Sequence, residues 1–114
     1  MIDPGVSANL RQELRRGSLV LACLLALQRE PDYGYALLKT LAAAGVETDA
    51  NTLYPLLRRL EKQGLLESVW VTEEPRPRRF YRVSDAGAEA ADGLVNDWTA
   101  IWTALQKFQE GSGS

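Results

Sequence analysis

The chain has 114 residues and a mass of 12.6 kDa, with 46% apolar and 25% charged residues, a composition that supports one globular domain with a modest core. Thirteen basic and fifteen acidic residues leave a formal net charge of −2 and a pI of about 5.1, so any case for an anionic partner must rest on local charge. There is no histidine and a single cysteine, Cys23, which excludes Ser-His-Asp triads, Cys-His dyads, disulfide frameworks and the common zinc sites; no metal, cofactor or enzymatic activity is expected.

Asn9 is a plausible N-cap for a first helix running to about Arg29, with Leu10, Leu14, Leu21, Leu24 and Leu25 near helical spacing. Within it, the longest apolar run is the nine residues Leu19 to Leu27, against roughly 20 needed to span a bilayer. Only four apolar residues separate Ser18 from Cys23, too few for the apolar region of a signal peptide, so Cys23 reads as a small buried hydrophobe. A cytoplasmic protein without membrane attachment is expected. Glu30-Pro31-Asp32 ends the first helix, and Asp32 can cap a second from Tyr33 to Ala44, stopped by Gly45. A third begins near Asp49 and ends at Gly64.

From Leu65 to Thr72 the pattern turns to a strand, broken by Glu73 to Pro77 with its two prolines; Arg78 to Val83 reads as a second strand. Ser84 then caps a final helix from Asp85 to about Gln109, and Gly111 to Ser114 read as a flexible linker tail. The expected fold class is α+β, mostly α: a winged helix-turn-helix domain (α-α-α-β-wing-β) over residues 1–84, then a long C-terminal dimerisation helix over residues 85–110 and a tail over 111–114.

The third helix carries the most chemical information. Leu53, Leu56, Leu57 and Leu60 form one face, and the opposite face presents Asn51, Tyr54, Pro55, Arg58 and Lys62, with Arg59 at its edge. Such a face suits a DNA major groove, because Asn pairs two-pronged with adenine and Arg with guanine, while Tyr and Lys reach phosphates. A solvated helix face would carry the same residue types. If Asp49 is the cap, Pro55 removes one hydrogen bond inside the helix; if Thr52 is the effective cap, Pro55 sits harmlessly in the first turn. Both starts fit the sequence.

Local charge supports the DNA reading. Ala50 to Val83 holds seven basic and four acidic residues, a local +3, whereas the rest of the chain is −5. Arg76, Arg78 and Arg79 cluster beside the prolines of the turn, as a clamp on phosphates or the minor groove requires.

In the last helix Ala91, Leu94, Trp98, Ile101, Leu105 and Phe108 are spaced 3, 4, 3, 4, 3, with Val95 and Trp102 flanking the seam. A winged-helix body of this size cannot cover the seam and Trp102 together, so a homodimer is expected, pairing this helix with the first or last helix of its partner. Leu94, Trp98, Ile101, Trp102, Leu105 and Phe108 are the expected interface. Asp85, Glu89, Asp92, Asp97 and Glu110 against Lys107 give this helix a charge of −4, which keeps it away from DNA.

Four segments together resemble the PadR-like transcriptional regulators. They are Arg16-Gly17-Ser18-Leu19, then Tyr33-Gly34-Tyr35-Ala36-Leu37-Leu38, then the run from Thr52-Leu53-Tyr54-Pro55-Leu56-Leu57 through Leu60-Glu61-Lys62-Gln63-Gly64 to Ser68, and finally Arg78-Arg79-Phe80-Tyr81-Arg82-Val83-Ser84-Asp85-Ala86-Gly87. The resemblance covers roughly residues 10 to 90, in order and with matching spacing, and its third segment is the most specific.

It implies a homodimeric winged-helix repressor on a two-fold, double-stranded DNA operator, released by a small-molecule effector. Asn51, Thr52, Tyr54, Arg58, Arg76, Arg78 and Arg79 are the implied DNA contacts, to which the helix face described above adds Lys62. Thr48 stands where the family usually has an aliphatic residue, so the third helix is expected to be anchored differently; a single C-terminal helix places the chain in the small subfamily.

In some small multidrug sensors of this family, a tryptophan at the Trp98 position lines a central pore and stacks flat aromatic compounds. By that resemblance Trp98, Trp102 and Asp97, with Asp92 nearby, form a candidate site for planar aromatic cations. Two tryptophans that simply fill a dimer core are the alternative. A winged-helix adaptor that binds protein without specific DNA binding is the competing function.

Overall fold

Asp3, not Asn9, starts the first helix. Its carboxylate accepts a hydrogen bond from the Val6 N–H at 3.1 Å, and Pro4 fills the first helical position, where no backbone donor is needed. In the computed structural model, which describes residues 1–72 and 76–111, α1 therefore spans Pro4–Arg29. The elements that follow are β1 Asp32–Tyr33, α2 Gly34–Ala43, α3 Ala50–Lys62, β2 Leu66–Val71, β3 Arg78–Val83 and α4 Asp85–Gly111. Glu73, Glu74 and Pro75 of the expected turn lie outside the described residues, as do Ser112, Gly113 and Ser114 of the expected tail. Gly111, assigned to that tail from sequence, is the last residue of α4.

The second correction concerns Asp32 and Tyr33. They form a two-residue strand rather than opening a helix, pairing antiparallel with β3 through Asp32↔Tyr81 and Tyr33↔Phe80. Asp32 Oδ1 accepts from the Tyr33 N–H at 2.9 Å, so it caps no helix, and α2 starts one residue later. The sheet order is β1-β3-β2, with β3 central and paired to β2 from Leu66↔Val83 to Val71↔Arg78. Helix–strand–helix–helix–hairpin in this order is a winged helix.

Two glycines end helices for a conformational reason. Gly45 and Gly64 have φ of +94° and +79°, the left-handed region that glycine enters without a Cβ penalty. In each case the next N–H reaches back to a helical carbonyl, Val46 to Leu41 at 2.8 Å and Leu65 to Leu60 at 2.9 Å. Ser84 then joins the hairpin to α4: its hydroxyl donates to the Gly64 carbonyl at 2.6 Å and accepts from the Gly87 N–H at 3.0 Å. A Cβ on Gly87 would collide with the Leu65 carbonyl oxygen, so only glycine permits this close approach.

The core is mainly leucine. Leu19, Cys23, Leu24 and Leu27 of α1 meet Leu37 and Leu41 of α2, and Leu53, Leu57 and Leu60 of α3, closed by Leu66, Tyr81 and Ala91. Cys23 is fully buried, as its reading as a hydrophobe requires, and burial pushes its thiol up to about 12. Leu10, Leu14 and Leu25, counted in the apolar pattern of the first helix, stay exposed. Past Ala91 every residue of α4 is exposed, from Asp92 to Gly111. At about 1.5 Å per residue that is an arm of roughly 30 Å.

Candidate nucleic-acid interface

Asp49 resolves the start of the third helix. Its Oδ1 accepts from the Thr52 N–H at 2.8 Å, which makes Asp49 the N-cap and leaves Pro55 inside the helix. Pro55 has no N–H to donate to the Asn51 carbonyl, so α3 lacks one hydrogen bond of its ladder there. The three buried leucines Leu53, Leu57 and Leu60 hold the opposite side in the core.

Outward, Asn51, Thr52, Pro55, Arg58, Arg59 and Lys62 are exposed. At about 100° per residue, Asn51, Tyr54, Arg58 and Lys62 fall within an arc of about 80°, with Pro55 next to it and Arg59 and Thr52 about 60° and 80° beyond. Tyr54 is half-buried; a Cβ placed on Gly34 would meet its ring at 2.8 Å. Glycine at the start of α2 thus lets α2 and α3 close on each other, and Tyr54 lines the cleft between α3 and the wing.

The wing is tied to this helix by one carboxylate. Glu61 Oε1 pairs with Arg79 Nη1 at 2.9 Å, and Glu61 Oε2 accepts from the Ser68 hydroxyl at 2.5 Å. Arg79 also lies over the ring of Trp70, its cross-strand neighbour, at 4.8 Å. Arg78 lies over the ring of Tyr33 at 4.1 Å, and Tyr33 packs edge-on against Phe80 at 5.2 Å. Arg82 faces Glu67 across the sheet at 3.4 Å.

The local positive charge is therefore divided. Arg79 and Arg82 spend theirs on carboxylates of the same domain, while Arg58, Arg59, Lys62 and Arg76 have no carboxylate partner among the described residues. Of the sequence-assigned residues, α3 groups Asn51, Tyr54, Arg58 and Lys62, and the wing brings Arg76, Arg78 and Arg79 beside them. Arg58, Arg76, Arg78 and Arg79 line one cleft of about 620 Å³.

Tyr33, Tyr35 and Trp70 share that cleft and were not singled out from sequence. For the two tyrosines the sequence offers only the run Tyr33-Gly34-Tyr35 directly after Pro31-Asp32, and for Trp70 nothing beyond its place in a strand. Glu61 carries no signal of its role in the sequence, because its partners lie 7 and 18 residues away.

Trp98, Asp97 and Trp102 belong to a separate element. On the exposed arm of α4 the two tryptophan rings stack at 6.3 Å with planes 17° apart, one helical turn from each other. Asp97 and Asp92 are exposed on the same arm. No helix among the described residues is long and apolar enough to cross a membrane.

The PadR-like family of transcriptional regulators matches the chain over residues 23–92. Transcriptional regulator Rv3488 of Mycobacterium tuberculosis is 35% identical over 90 residues, covering 79% of this chain and 81% of its own. Among solved structures, a PadR family transcriptional regulator from Eggerthella lenta superposes with a TM-score of 0.88 at 43% identity, covering 93% of this chain and 94% of that one. A PadR-like transcription factor from Bacteroides fragilis gives 0.73 at 30% identity, over 88% and 98% of the two chains. The exposed polar face of α3, the wing beside it and these similarities agree: the chain belongs to the PadR-like family of transcriptional regulators.

Proposed function

We propose that the chain is a sequence-specific DNA-binding repressor that works in the cytoplasm as a homodimer and leaves its operator when a small molecule binds. The observation that carries this reading is the outer face of α3, where Asn51, Arg58 and Lys62 stand exposed while the inner leucines anchor the helix. In this reading Asn51 and Arg58 read base edges in the major groove, and Thr52, Tyr54, Lys62, Arg76 and Arg78 meet phosphates. Arg79 acts chiefly by holding the wing, since Glu61 already engages it.

The dimer is built on α4. Leu94, Trp98, Ile101, Trp102, Leu105 and Phe108 are exposed in the single chain, Trp98 by 52% and Phe108 by 75%. Several large apolar residues in one stripe form the kind of patch that a second subunit covers. Trp98, Trp102 and Asp97 at that seam would receive a planar aromatic cation as the effector.

Selection of bound duplexes from a random DNA pool at about 150 mM salt, where nonspecific attraction is partly screened, tests the reading. The expected product is a palindrome with half-sites about one helical turn apart. No enriched sequence would overturn specific binding and favour a winged-helix adaptor that docks on protein.

A further inference from the structure

Between β1, the start of α2, α3 and the wing lies the cleft of about 620 Å³ described above, within the roughly 300–1,000 Å³ of small-molecule sites. Its walls are of two kinds. Tyr33, Tyr35, Tyr54 and Trp70 supply flat rings, and Trp70 and Tyr35 are each 59% exposed in a domain whose core is otherwise mostly leucine. Arg58 and Arg76 supply guanidinium groups with no carboxylate partner among the described residues, and none of the described residues that line the cleft is a carboxylate. Arg78 and Arg79 are already fixed over Tyr33 and Trp70, so part of the positive wall is in place before anything binds.

A second cleft, of about 370 Å³ between α1 and the start of α3, shows the contrast. It sets Arg15 and Arg16 against Glu47 and Asp49 and so has no preferred sign.

A stacked duplex can use the guanidinium groups but not the ring faces, because its bases are already stacked on each other. A free flat ring carrying an anion can use both. We propose that this cleft binds a planar aromatic anion, a ring bearing a phosphate or a carboxylate, and that the bound anion excludes DNA from the same guanidinium groups. The exclusion rests on the DNA reading proposed above; the binding does not. The anion sits between Arg58 and Arg76 while the ring lies along Tyr35 and Trp70. The site is opposite in sign to the acidic tryptophan pair on α4, so the two would select ligands of opposite charge.

The test uses the full chain and follows the three indole N–H resonances by NMR, with Trp70 identified through Trp70→Phe. The probes are 1-naphthyl phosphate and 1-naphthoate, with 1-naphthol and inorganic phosphate as controls. Saturable movement of the Trp70 resonance by at least one naphthyl anion is expected, and the tighter of the two identifies phosphate or carboxylate as the preferred group. Naphthol and inorganic phosphate should each bind at least tenfold more weakly. Arg58→Gln combined with Arg76→Gln should weaken the anion at least tenfold while far-ultraviolet circular dichroism stays unchanged.

Movement confined to Trp98 and Trp102, equal binding of naphthol, or indifference to the arginine changes would overturn the site. With the selected operator added, the bound anion should displace it, and a ternary complex would overturn exclusion. Loss of operator selection with the Trp70 response intact would sink the DNA reading and leave this site standing.

Discussion

The two ends of the molecule turn opposite chemistry to the solvent. The α3–wing head keeps its leucines inside and points Asn51, Arg58, Lys62 and Arg76 outward. The α4 arm does the reverse, leaving Trp98, Ile101, Leu105 and Phe108 in water on a helix of charge −4. A polar, basic face suits a hydrated polyanion, whereas an apolar stripe on an acidic helix suits another protein surface and repels DNA. In the function proposed above, one small chain separates reading from pairing by placing them on different elements, so each can be damaged without the other.

The arm offers the largest effect. Ile101→Asp places a charge in the apolar seam and should cost about 3 kcal/mol or more of association free energy. Sedimentation should show a dimer for the parent and a monomer for the variant, with unchanged helix content. A variant that stays dimeric would move the interface off this seam.

Leu57→Ala should cost about 2–5 kcal/mol of folding stability, because Leu57 is fully buried beneath the reading face. Urea unfolding would measure it. A loss under 1 kcal/mol, on the order of a surface change, would mean that the head is not anchored through this leucine.

Within the head, the contrast is between reading and holding. Arg58→Ala should cost about 1–3 kcal/mol of operator affinity and relax base preference at one position in each half-site. Arg76→Ala should weaken all sequences alike and reduce the salt slope by about 0.9. Equal behaviour of the two variants would remove the distinction between base and phosphate contacts.

Glu61→Gln sharpens the comparison further. Its partner Arg79 and Glu61 itself are about one-third exposed, so the stability change should stay within about 1 kcal/mol. Release of Arg79 should nevertheless raise nonspecific DNA affinity and steepen the salt slope while lowering operator preference. A flatter slope would show that Glu61 does not restrain this guanidinium.

Cys23 gives the smallest effect at neutral pH and a clear sign at high pH. Its thiol is raised by burial from 9.0 to about 12, so both folded and unfolded chains hold it neutral below pH 9. Between 9 and about 12 the unfolded chain ionises first, and stability should fall as pH rises. The stability advantage of the parent over Cys23→Ala should therefore narrow across that window; a constant advantage would contradict the assigned burial effect.

Much of this fold was legible because its elements are amphipathic or punctuated. Leu53, Leu57 and Leu60 repeat at helical spacing, and Gly45 and Gly64 mark two helix ends. Ser84 marks the start of α4. What was not legible depends on neighbours distant in sequence or on very short segments. The strand at Asp32 and Tyr33 has two residues, too few for any periodicity, and exists because β3 offers an edge.

Asp3 and Pro4 cap α1 ahead of its buried stripe, where no apolar pattern announces a helix. Asp49 and Thr52 are equally good caps for α3 by residue type, and only the hydrogen bond from the Thr52 N–H to the Asp49 carboxylate separates them. At the candidate site the α3 face followed from spacing alone. The division of the arginines did not, because Glu61 reaches Arg79 across 18 residues and Tyr33 meets Arg78 only through the sheet.

The separation of reading head and pairing arm is tested most sharply by a spacing series on the selected operator, followed by fluorescence anisotropy with the unmodified chain. Two half-sites about one helical turn apart should bind a dimer, and inserting about 5 base pairs between them should turn one half-site away. That insertion is expected to weaken binding about 100-fold, towards the affinity of a single half-site. Affinity that ignores the insertion would contradict the account, since two heads joined rigidly through α4 cannot read both faces of the duplex equally well.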